Sequence, residues 1–155
     1  MTALDLFAGL GGASHAFAAR GWDVVTVDVD PRFGCTHTAD LASWSYSGPP
    51  VDLVWASPPC IEFSRDHLPW LRGKFPPPSM KLVEAALRII GEVRPRWWVL
   101  ENVRGASRHI SPILGPPRVY GPFFLWGRFP AFRCRVRGFK ERLSSSQRAE
   151  RAKVP

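Results

Sequence analysis

The sequence predicts an α/β domain with a mostly parallel sheet and helices on both of its faces. Short apolar runs typical of buried strands alternate with helix-favouring segments. The first run ends in a glycine-rich turn, Ala8–Gly12, and helix-favouring Ala13–Arg20 follows it. Ligands of such sheets bind at the carboxyl ends of the strands. We therefore expect the functional residues where the strands end.

Four apolar runs are predicted as parallel strands. They are Thr2–Phe7, Asp23–Val29, Val51–Ala56 and Trp97–Leu100. Gly21 ends the first helix before the second run begins. The alternation of strand and helix therefore covers the first two thirds of the chain.

Met80–Val93 is the clearest predicted helix. Ser79 is placed as its N-cap, Glu84 and Arg88 have the spacing of an i,i+4 ion pair, and Pro95 ends it. Before this helix, residues 64–78 form a long, basic, proline-rich connection, which predicts a functional loop. After Gly105 the pattern weakens, with residues 123–126 and 132–136 as candidate late strands.

Composition predicts one domain that interacts with a polyanion. The chain has 155 residues, of which 45% are hydrophobic and 22% charged. Residues 1–64 hold two basic and seven acidic residues, a net charge of −5, whereas residues 65–155 hold nineteen and six, a net charge of +13. This asymmetry suggests a small ligand for the first part and nucleic acid for the second, although a basic surface that serves solubility is the alternative.

The predicted domain spans residues 1–139, with a cofactor half at 1–60 and a substrate-facing half at 61–139. Residues 140–155 are predicted as a basic C-terminal helix or tail. The sequence has no membrane-span or signal-peptide pattern, so we expect a cytoplasmic protein with no membrane partner. Three cysteines without C-x-x-C spacing predict neither a disulfide framework nor a metal site.

The glycine-rich turn and an acid at the next strand end suggest a nucleoside site. The turn reads G-x-G-G without a lysine, which matches neither the phosphate-loop nor the dinucleotide pattern. Asp28 ends the second strand, where a carboxylate accepts hydrogen bonds from ribose hydroxyls. An adenosine-containing ligand without a pyrophosphate fits best, and a tight turn with a capping acid is the alternative.

Cys60 and Glu101 follow two neighbouring strands. Two prolines in Ser57-Pro58-Pro59-Cys60 fix the backbone, and a nearby cation such as Arg65 favours the nucleophilic thiolate. Glu101 could meet the same substrate. The alternatives are a buried, unreactive cysteine and an acid at a helix N-terminus.

Together the segments DLFAGLGG, SPPC-x-x-FS and ENV closely resemble motifs I, IV and VI of the cytosine C5 DNA methyltransferases, over residues 3 to about 105. The resemblance implies the Rossmann-like class I S-adenosylmethionine-dependent methyltransferase fold. It implies Cys60 as the nucleophile on cytosine C6, Glu101 as the acid at N3 and Asn102 as the residue that fixes the local backbone. The implied S-adenosylmethionine site comprises Asp5, Phe7, Gly9, Leu10, Gly11, Asp28, Val29, Asp40 and Pro59.

The resemblance also implies DNA as the substrate. The basic segment 65–78 matches the family's mobile loop, and Ser64, Arg65, Arg72 and Lys74 are the expected nucleic-acid contacts. Ile61 departs from the glutamine that is common after the nucleophile. Arg118, or else Arg133 and Arg135, would be the counterpart of the motif VIII arginine.

No target-recognition region fits in this length, as in the short phage-encoded relatives of restriction–modification methyltransferases or the catalytic half of a split enzyme. A partner subunit or target-recognition protein is therefore one expectation. Three other readings stay open: an amino-methyltransferase, because S-P-P is also that class's motif; a tRNA cytosine C5 methyltransferase; and a non-catalytic module that binds cofactor and nucleic acid.

Overall fold

The computed structural model of the protein describes residues 1–71 and 73–131. Several predictions concern residues outside these ranges: the nucleic-acid contact at Arg72, the arginine candidates Arg133 and Arg135, the late strand at 132–136, and the helix or tail at 140–155.

Strands and helices alternate along the described chain. The strands are β1 (Thr2–Leu6), β2 (Asp23–Asp28), β3 (His37–Thr38), β4 (Leu53–Ala56), β5 (Trp97–Asn102), β6 (Arg118–Tyr120) and β7 (Phe123–Arg128). The helices are α1 (Gly12–Ala18), α2 (Ile61–His67), α3 (Lys81–Val93) and α4 (Ser107–Leu114), with 3₁₀ turns at Pro31–Phe33 and Arg104–Ala106.

The strands form one seven-stranded sheet in the order β3-β2-β1-β4-β5-β7-β6. The first five strands in this order are parallel, β7 is antiparallel to β5, and β6 is antiparallel to β7. Consequently β1, β2, β4 and β5 all end at one side of the sheet, which we call the carboxyl edge. The predicted mostly parallel α/β fold is confirmed.

The two faces of the sheet are covered unequally. Alternate strand residues such as Leu4, Val54 and Leu100 pack with residues of α2, α3 and α4 in the larger core cluster. The opposite face carries α1, and its smaller cluster comprises Leu53, Val99, Leu125 and Phe129. Half-buried aromatic side chains, Phe17, Trp22, Trp55, Trp97 and Tyr120, pack against this smaller cluster. We call the two sides of the sheet the α3 face and the α1 face.

Two details predicted for α3 are corrected. The helix has Met80 rather than Ser79 as its N-cap residue, although the Ser79 hydroxyl accepts a 3.3 Å hydrogen bond from the amide of Lys81. Arg88 forms its i,i+4 ion pair with Glu92, at 2.6 Å, and not with Glu84. The carbonyl oxygens of residues 41 and 44 also accept hydrogen bonds from Arg88, which fixes the guanidinium on that side.

Other elements differ from the predicted boundaries. Glu101 and Asn102 are the last residues of β5 rather than the start of the following loop, because β7 pairs with β5 up to Asn102. Helix α2 takes up the first residues of the segment predicted as a loop. The sequence pattern missed α4, which contains Pro112, and β6, which has three residues. The late strand predicted at 123–126 is confirmed as β7.

Within residues 1–71 and 73–131, the structure contains no helix that is long and apolar enough to cross a membrane.

Candidate active site

The turn between β1 and α1 brings backbone groups close to the carboxyl edge. Phe7, Gly9 and Gly11 all have positive φ angles, of 61°, 52° and 78°. Such angles favour glycine, and a side chain at Gly11 would also lie 3.2 Å from the His15 ring. A positive φ is uncommon for a phenylalanine and is typical of turns at functional sites.

Asp28 ties this turn to the end of β2. Its carboxylate accepts hydrogen bonds of 3.0 Å from the backbone amides of Gly9 and Asp30. The residues that follow Gly9 and Asp28 in the chain, Leu10 and Val29, are 86% and 65% exposed. The turn and the end of β2 therefore present a carboxylate and two uncovered apolar residues.

Asp40 and Pro59, two residues of the predicted cofactor site, line one cleft. This cleft, of about 570 Å³, is also lined by apolar residues of α3 and by the charged side chains of Glu62, Arg65 and Lys81. Asp40 is exposed, and its carboxylate accepts a 2.9 Å hydrogen bond from the amide of Ala42. The cleft thus combines an exposed acid with both apolar and charged walls.

A second cleft, of about 660 Å³, opens on the α1 face, and we call it the α1-face cleft. Its polar side chains are Asp5, Ser57 and Glu101. Its aromatic side chains are Phe7, Phe17, Trp55, Tyr120 and Phe123. The structure therefore places Glu101 and two predicted cofactor residues, Asp5 and Phe7, around one space.

Asp5 is a buried acid, with 2% of its surface exposed. The hydroxyl of Ser14 on α1 donates a hydrogen bond to it. Burial raises the pKa of Asp5 to about 6, against the opposing effect of the Ser14 hydrogen bonds, and the negative charge of Asp28 raises it further. Asp5 therefore titrates near neutral pH.

Cys60 occupies the N-cap position of α2, directly after the two prolines. It is half-buried, and its carbonyl oxygen accepts a 2.9 Å hydrogen bond from the amide of Ser64. Buried Asn102 donates a 3.0 Å hydrogen bond from Nδ2 to the carbonyl oxygen of Pro58, while its Oδ1 accepts one from the amide of Val103. The end of β5 is thereby attached to the loop that carries the thiol.

Glu101 lies on β5 beside the end of β4. Burial raises the pKa of its carboxyl, and a hydrogen bond with the Ser57 hydroxyl acts in the opposite direction. The indole N–H of Trp55 donates a 2.8 Å hydrogen bond to the same Ser57 oxygen. A half-buried acid with an elevated pKa thus ends the strand next to the one that leads to Cys60.

Helix α2 and the segment after it carry the predicted nucleic-acid contacts. Ser64 and Arg65 lie on α2, and the Arg65 guanidinium lies 4.9 Å from the centre of the Phe75 ring. Lys74 is exposed, as is Trp70, of which 65% is accessible. This part of the molecule, which follows Cys60 in the chain, presents cations and aromatic side chains.

The same helix is anchored to α4 and to the turn before it. Asp66 forms an ion pair with Arg108 at 3.2 Å and a hydrogen bond with the His109 side chain at 3.1 Å, and this hydrogen bond lowers the pKa of Asp66. A Cβ added at Gly105 would lie 2.2 Å from the carbonyl oxygen of Phe63. Close packing therefore holds α2 in place.

Arg118 is not brought to Cys60 or Glu101. Its guanidinium donates a 2.6 Å hydrogen bond to the carbonyl oxygen of Phe129 and lies 4.7 Å from the centre of that ring. Phe129 follows the end of β7, which runs antiparallel to β5, so this contact lies opposite the carboxyl edge. The structure gives Arg118 a packing role at the sheet edge.

Sequence reasoning assigned no role to Trp55, Ser57, Ser14 or Gly105. Only Ser57 carried a usable signal, because the SPPC segment places it at a strand end beside the predicted position of Glu101. The described residues contain no group of three His, Cys, Asp or Glu side chains that could hold a metal ion.

Comparisons with known proteins agree on one family. The model of a family described as C-5 cytosine-specific DNA methylase matches residues 1–111. A Frog virus 3 protein named "Probable DNA (cytosine-5)-methyltransferase" is 33% identical over 117 residues, which are 66% of this chain and 53% of that protein. The type II methyltransferase M.XorII of Xanthomonas oryzae pv. oryzae is 29% identical over 126 residues, 67% of this chain and 28% of that protein. The matches thus span about half or less of these relatives.

Solved structures show the same fold. The Entamoeba histolytica methyltransferase EhMeth aligns with a TM-score of 0.55 at 15% identity, covering 93% of this chain and 57% of that one. The S. pombe Dnmt2 methyltransferase aligns with a TM-score of 0.52 at 16% identity, covering 86% and 51%.

Proposed function

Because the chain belongs to the C-5 cytosine-specific DNA methylase family, we propose that it transfers a methyl group from S-adenosylmethionine to carbon C5 of cytosine in DNA. The attachment of the Cys60 loop to β5 through Asn102 is the observation that carries this proposal. This bond attaches the loop that carries the Cys60 thiol to the strand that carries the half-buried Glu101 carboxyl, which supports a nucleophile and an acid acting on one ring.

Cys60 is the proposed nucleophile. Cytosine C5 is unreactive because its double bond belongs to an aromatic ring. When the Cys60 thiolate forms a bond to C6, the electron pair of the C5–C6 double bond is displaced toward N3, and C5 becomes the carbon of an enamine. Loss of the C5 proton and cleavage of the C6–S bond later restore the ring and the free thiolate. One difficult substitution is thereby divided into two easier steps.

Glu101 is the proposed acid at N3. Its carboxyl donates a proton where negative charge develops during thiolate addition and takes it back during elimination. An acid in this role must retain its proton near neutral pH, and the raised pKa of Glu101 supports the assignment.

S-adenosylmethionine, when bound, supplies a methyl group on a sulfonium, an electrophile that the enamine carbon can attack. The residues of the β1–α1 turn and the carboxyl edge fit it, because a carboxylate at the end of β2 and exposed apolar side chains at Leu10 and Val29 suit a ribose joined to an adenine. The residues that would hold the cofactor are Asp5, Phe7, Gly9, Leu10, Gly11, Asp28, Val29, Asp40 and Pro59.

DNA is the proposed substrate, and the basic half of the chain is proposed to bind it. Ser64, Arg65 and Lys74 lie on or just after the helix that Cys60 begins, where they would contact the phosphates of a target. A cytosine inside a duplex is unreachable, so the base must leave the stack to meet the thiol.

The test is methylation by the purified chain. It is incubated with methyl-labelled S-adenosylmethionine and duplex DNA of mixed sequence, and the modified base is identified by mass spectrometry. We expect C5-methylcytosine, its loss with Cys60→Ser, and its retention with Cys35→Ser, a second half-buried thiol. N4-methylcytosine or N6-methyladenine would instead assign an amino-methyltransferase, and a product on tRNA alone would overturn the DNA assignment.

The α1-face cleft favours a second candidate, the catalytic part of a two-chain enzyme. Parallel sheets are normally covered on both faces. Here, among the described residues, α1 is the helix on this face, and half-buried Trp22, Trp55 and Trp97 pack beside it. The relatives carry further polypeptide outside the aligned parts. We propose that a second polypeptide supplies an apolar helix that packs beside α1 on this face and leaves the side chain of Glu101 accessible.

Complementation tests the two-chain candidate. The part of the Frog virus 3 relative outside its aligned region is expressed as a separate polypeptide and added to the chain. A chain that methylates DNA only after this addition supports the candidate. Full activity of the chain alone, unchanged by the second polypeptide, overturns it.

A further inference from the structure

We propose that Ser57 is a positioning residue for Glu101 and that Trp55 sets the direction in which the Ser57 hydroxyl donates. The proposal rests on the proposed function, because it concerns the carboxyl to which that function assigns proton transfer. It adds to the site Trp55 of β4 and Ser57, which follows β4. Neither residue touches the reacting atoms.

The strand register brings the three side chains together. Trp55 pairs with Val99 and Ala56 with Leu100, so the next residues along the two strands are Ser57 and Glu101. Side chains alternate between the faces of a sheet. Trp55, Ser57 and Glu101 therefore all face the α1 side, where they line one cleft.

The direction of the hydrogen bonds follows from the chemistry of the donors. An indole nitrogen carries a hydrogen and can only donate, so the Ser57 oxygen accepts at the 2.8 Å contact with Trp55 Nε1. The single hydroxyl hydrogen of Ser57 is then left for its other partner, the Glu101 carboxyl. The order of donation is Trp55 to Ser57 to Glu101.

This order determines which oxygen of Glu101 carries the proton. The oxygen that accepts from Ser57 stays an acceptor, so in the neutral acid the hydrogen lies on the other oxygen. Ser57 thus orients the acid as well as stabilising its charged form. The indole occupies one of the two lone pairs of the Ser57 oxygen, so it is the donation from Ser57 to Glu101, and not a lack of acceptor capacity, that leaves the acid proton on the other carboxyl oxygen.

The remaining groups around Glu101 come from the elements that pack against it. Leu125 on β7 is its register partner and contributes an apolar wall. The titratable side chains lining the same cleft are Asp5 on β1, hydrogen-bonded by Ser14, and Tyr120 on β6. On the remaining neighbouring elements, Cys60 begins α2, Arg104 in the following 3₁₀ turn is exposed, and Arg118 binds the Phe129 carbonyl.

The first test measures Glu101 directly and needs no activity. The chain is labelled with ¹³C at glutamate side-chain carboxyls, and the Glu101 signal is identified by its absence in Glu101→Gln. Ser57→Ala removes the hydroxyl that donates a hydrogen bond to the Glu101 carboxylate. We therefore expect the titration midpoint of the Glu101 carboxyl to rise by about one pH unit. Ser57→Thr, which keeps the hydroxyl, restores the wild-type midpoint, and Trp55→Phe gives an intermediate rise.

Ser45→Ala is the matched control, because it deletes an exposed hydroxyl that binds Arg88 far along the chain from Glu101. An unchanged midpoint in folded Ser57→Ala, or an equal change in Ser45→Ala, overturns the proposal. The titration tests the role of Ser57 even if the chain methylates no DNA. A failure of this proposal is therefore distinguishable from a failure of the proposed methyltransferase activity.

The second test is the pH profile of methyl transfer. If Glu101 must hold its proton, the fall in the methyl-transfer rate at alkaline pH moves to higher pH in Ser57→Ala, by the same amount as the titration midpoint. We also expect kcat to fall about tenfold, with little change in KM for the cofactor. A lower rate with an unshifted profile would indicate a purely structural role and overturn the assignment.

Discussion

Asn102 and Pro58 are joined by a buried hydrogen bond of 3.0 Å from the side-chain Nδ2 to the backbone carbonyl oxygen. Because Pro58 precedes the thiol-bearing residue by two positions, this bond connects the end of β5 to the conformation of the Cys60 loop. The other polar atom of the Asn102 side chain, Oδ1, accepts a hydrogen bond from the backbone amide of Val103.

Asn102→Ala is therefore expected to lower both stability and activity. The substitution leaves a buried carbonyl and a backbone amide without their partner, which costs roughly 1–3 kcal/mol in the free energy of unfolding. Urea denaturation and methyl-transfer assays measure the two effects. Ser107→Ala is the control: the Ser107 hydroxyl is buried and has no partner among the described residues, so its loss should leave stability equal or higher.

Stability should depend on pH through Asp5. Its pKa is about 6 in the folded chain against 3.8 in an exposed carboxyl, so the native state binds the extra proton between these values. The stabilisation is full below pH 4 and is lost as the pH rises through 6, a decrease of about 3 kcal/mol.

Urea denaturation from pH 4 to pH 7.5 checks the Asp5 prediction. Asp5→Asn keeps an acceptor for Ser14 but cannot ionise. Its free energy of unfolding should therefore decrease less than that of the wild type as the pH rises. Parallel curves for the wild type and Asp5→Asn would show that Asp5 does not titrate in this range.

Gly105→Ala should destabilise the protein by more than 1 kcal/mol. The added Cβ would lie 2.2 Å from a backbone oxygen of α2, and a helix backbone cannot give way as a flexible side chain can. Gly91→Ala is the matched control, since the added Cβ meets nothing within 4 Å on exposed α3 and should stabilise by roughly 0.5–1 kcal/mol. Thermal denaturation compares them, and equal melting temperatures would contradict the packing argument.

DNA containing 5-fluorocytosine should trap the chain covalently. Elimination requires the C5 substituent to leave as a cation, which hydrogen can do and fluorine cannot, so the bond from Cys60 to C6 persists after methyl transfer. Denaturing electrophoresis should show a protein–DNA band for the wild type and for Cys35→Ser. The same band with Cys60→Ser would refute the assigned nucleophile.

Arg65→Ala and Lys74→Ala should each weaken DNA binding uniformly across sequences. Removing one phosphate contact should reduce the slope of log affinity against log salt by about one. Fluorescence anisotropy over a salt series measures this slope. Arg20→Ala serves as the control and should keep the wild-type slope, because exposed Arg20 lies just after α1 and its guanidinium donates a hydrogen bond to the carbonyl oxygen of Ala16.

Local sequence patterns were sufficient to predict the features that depend on residues close together in the chain. The glycine-rich turn, the SPPC segment and the acid at position 101 were all predictable, because each depends on backbone geometry over a few residues. Helix α4 and strand β6 were not, because a proline inside a helix and a three-residue strand are stabilised by packing on β7 rather than by their own propensities.

The sequence by itself determined the parallel α/β fold, the family and the residues at the strand ends. Only the tertiary structure decided that Arg118 turns to Phe129, that Asn102 holds the Cys60 loop, and that Trp55 and Ser57 direct a hydrogen bond to Glu101. The physical reason is register. β4 and β5 pair residues that are 44 positions apart in the sequence, and this pairing, which no local pattern encodes, determines which side chains meet.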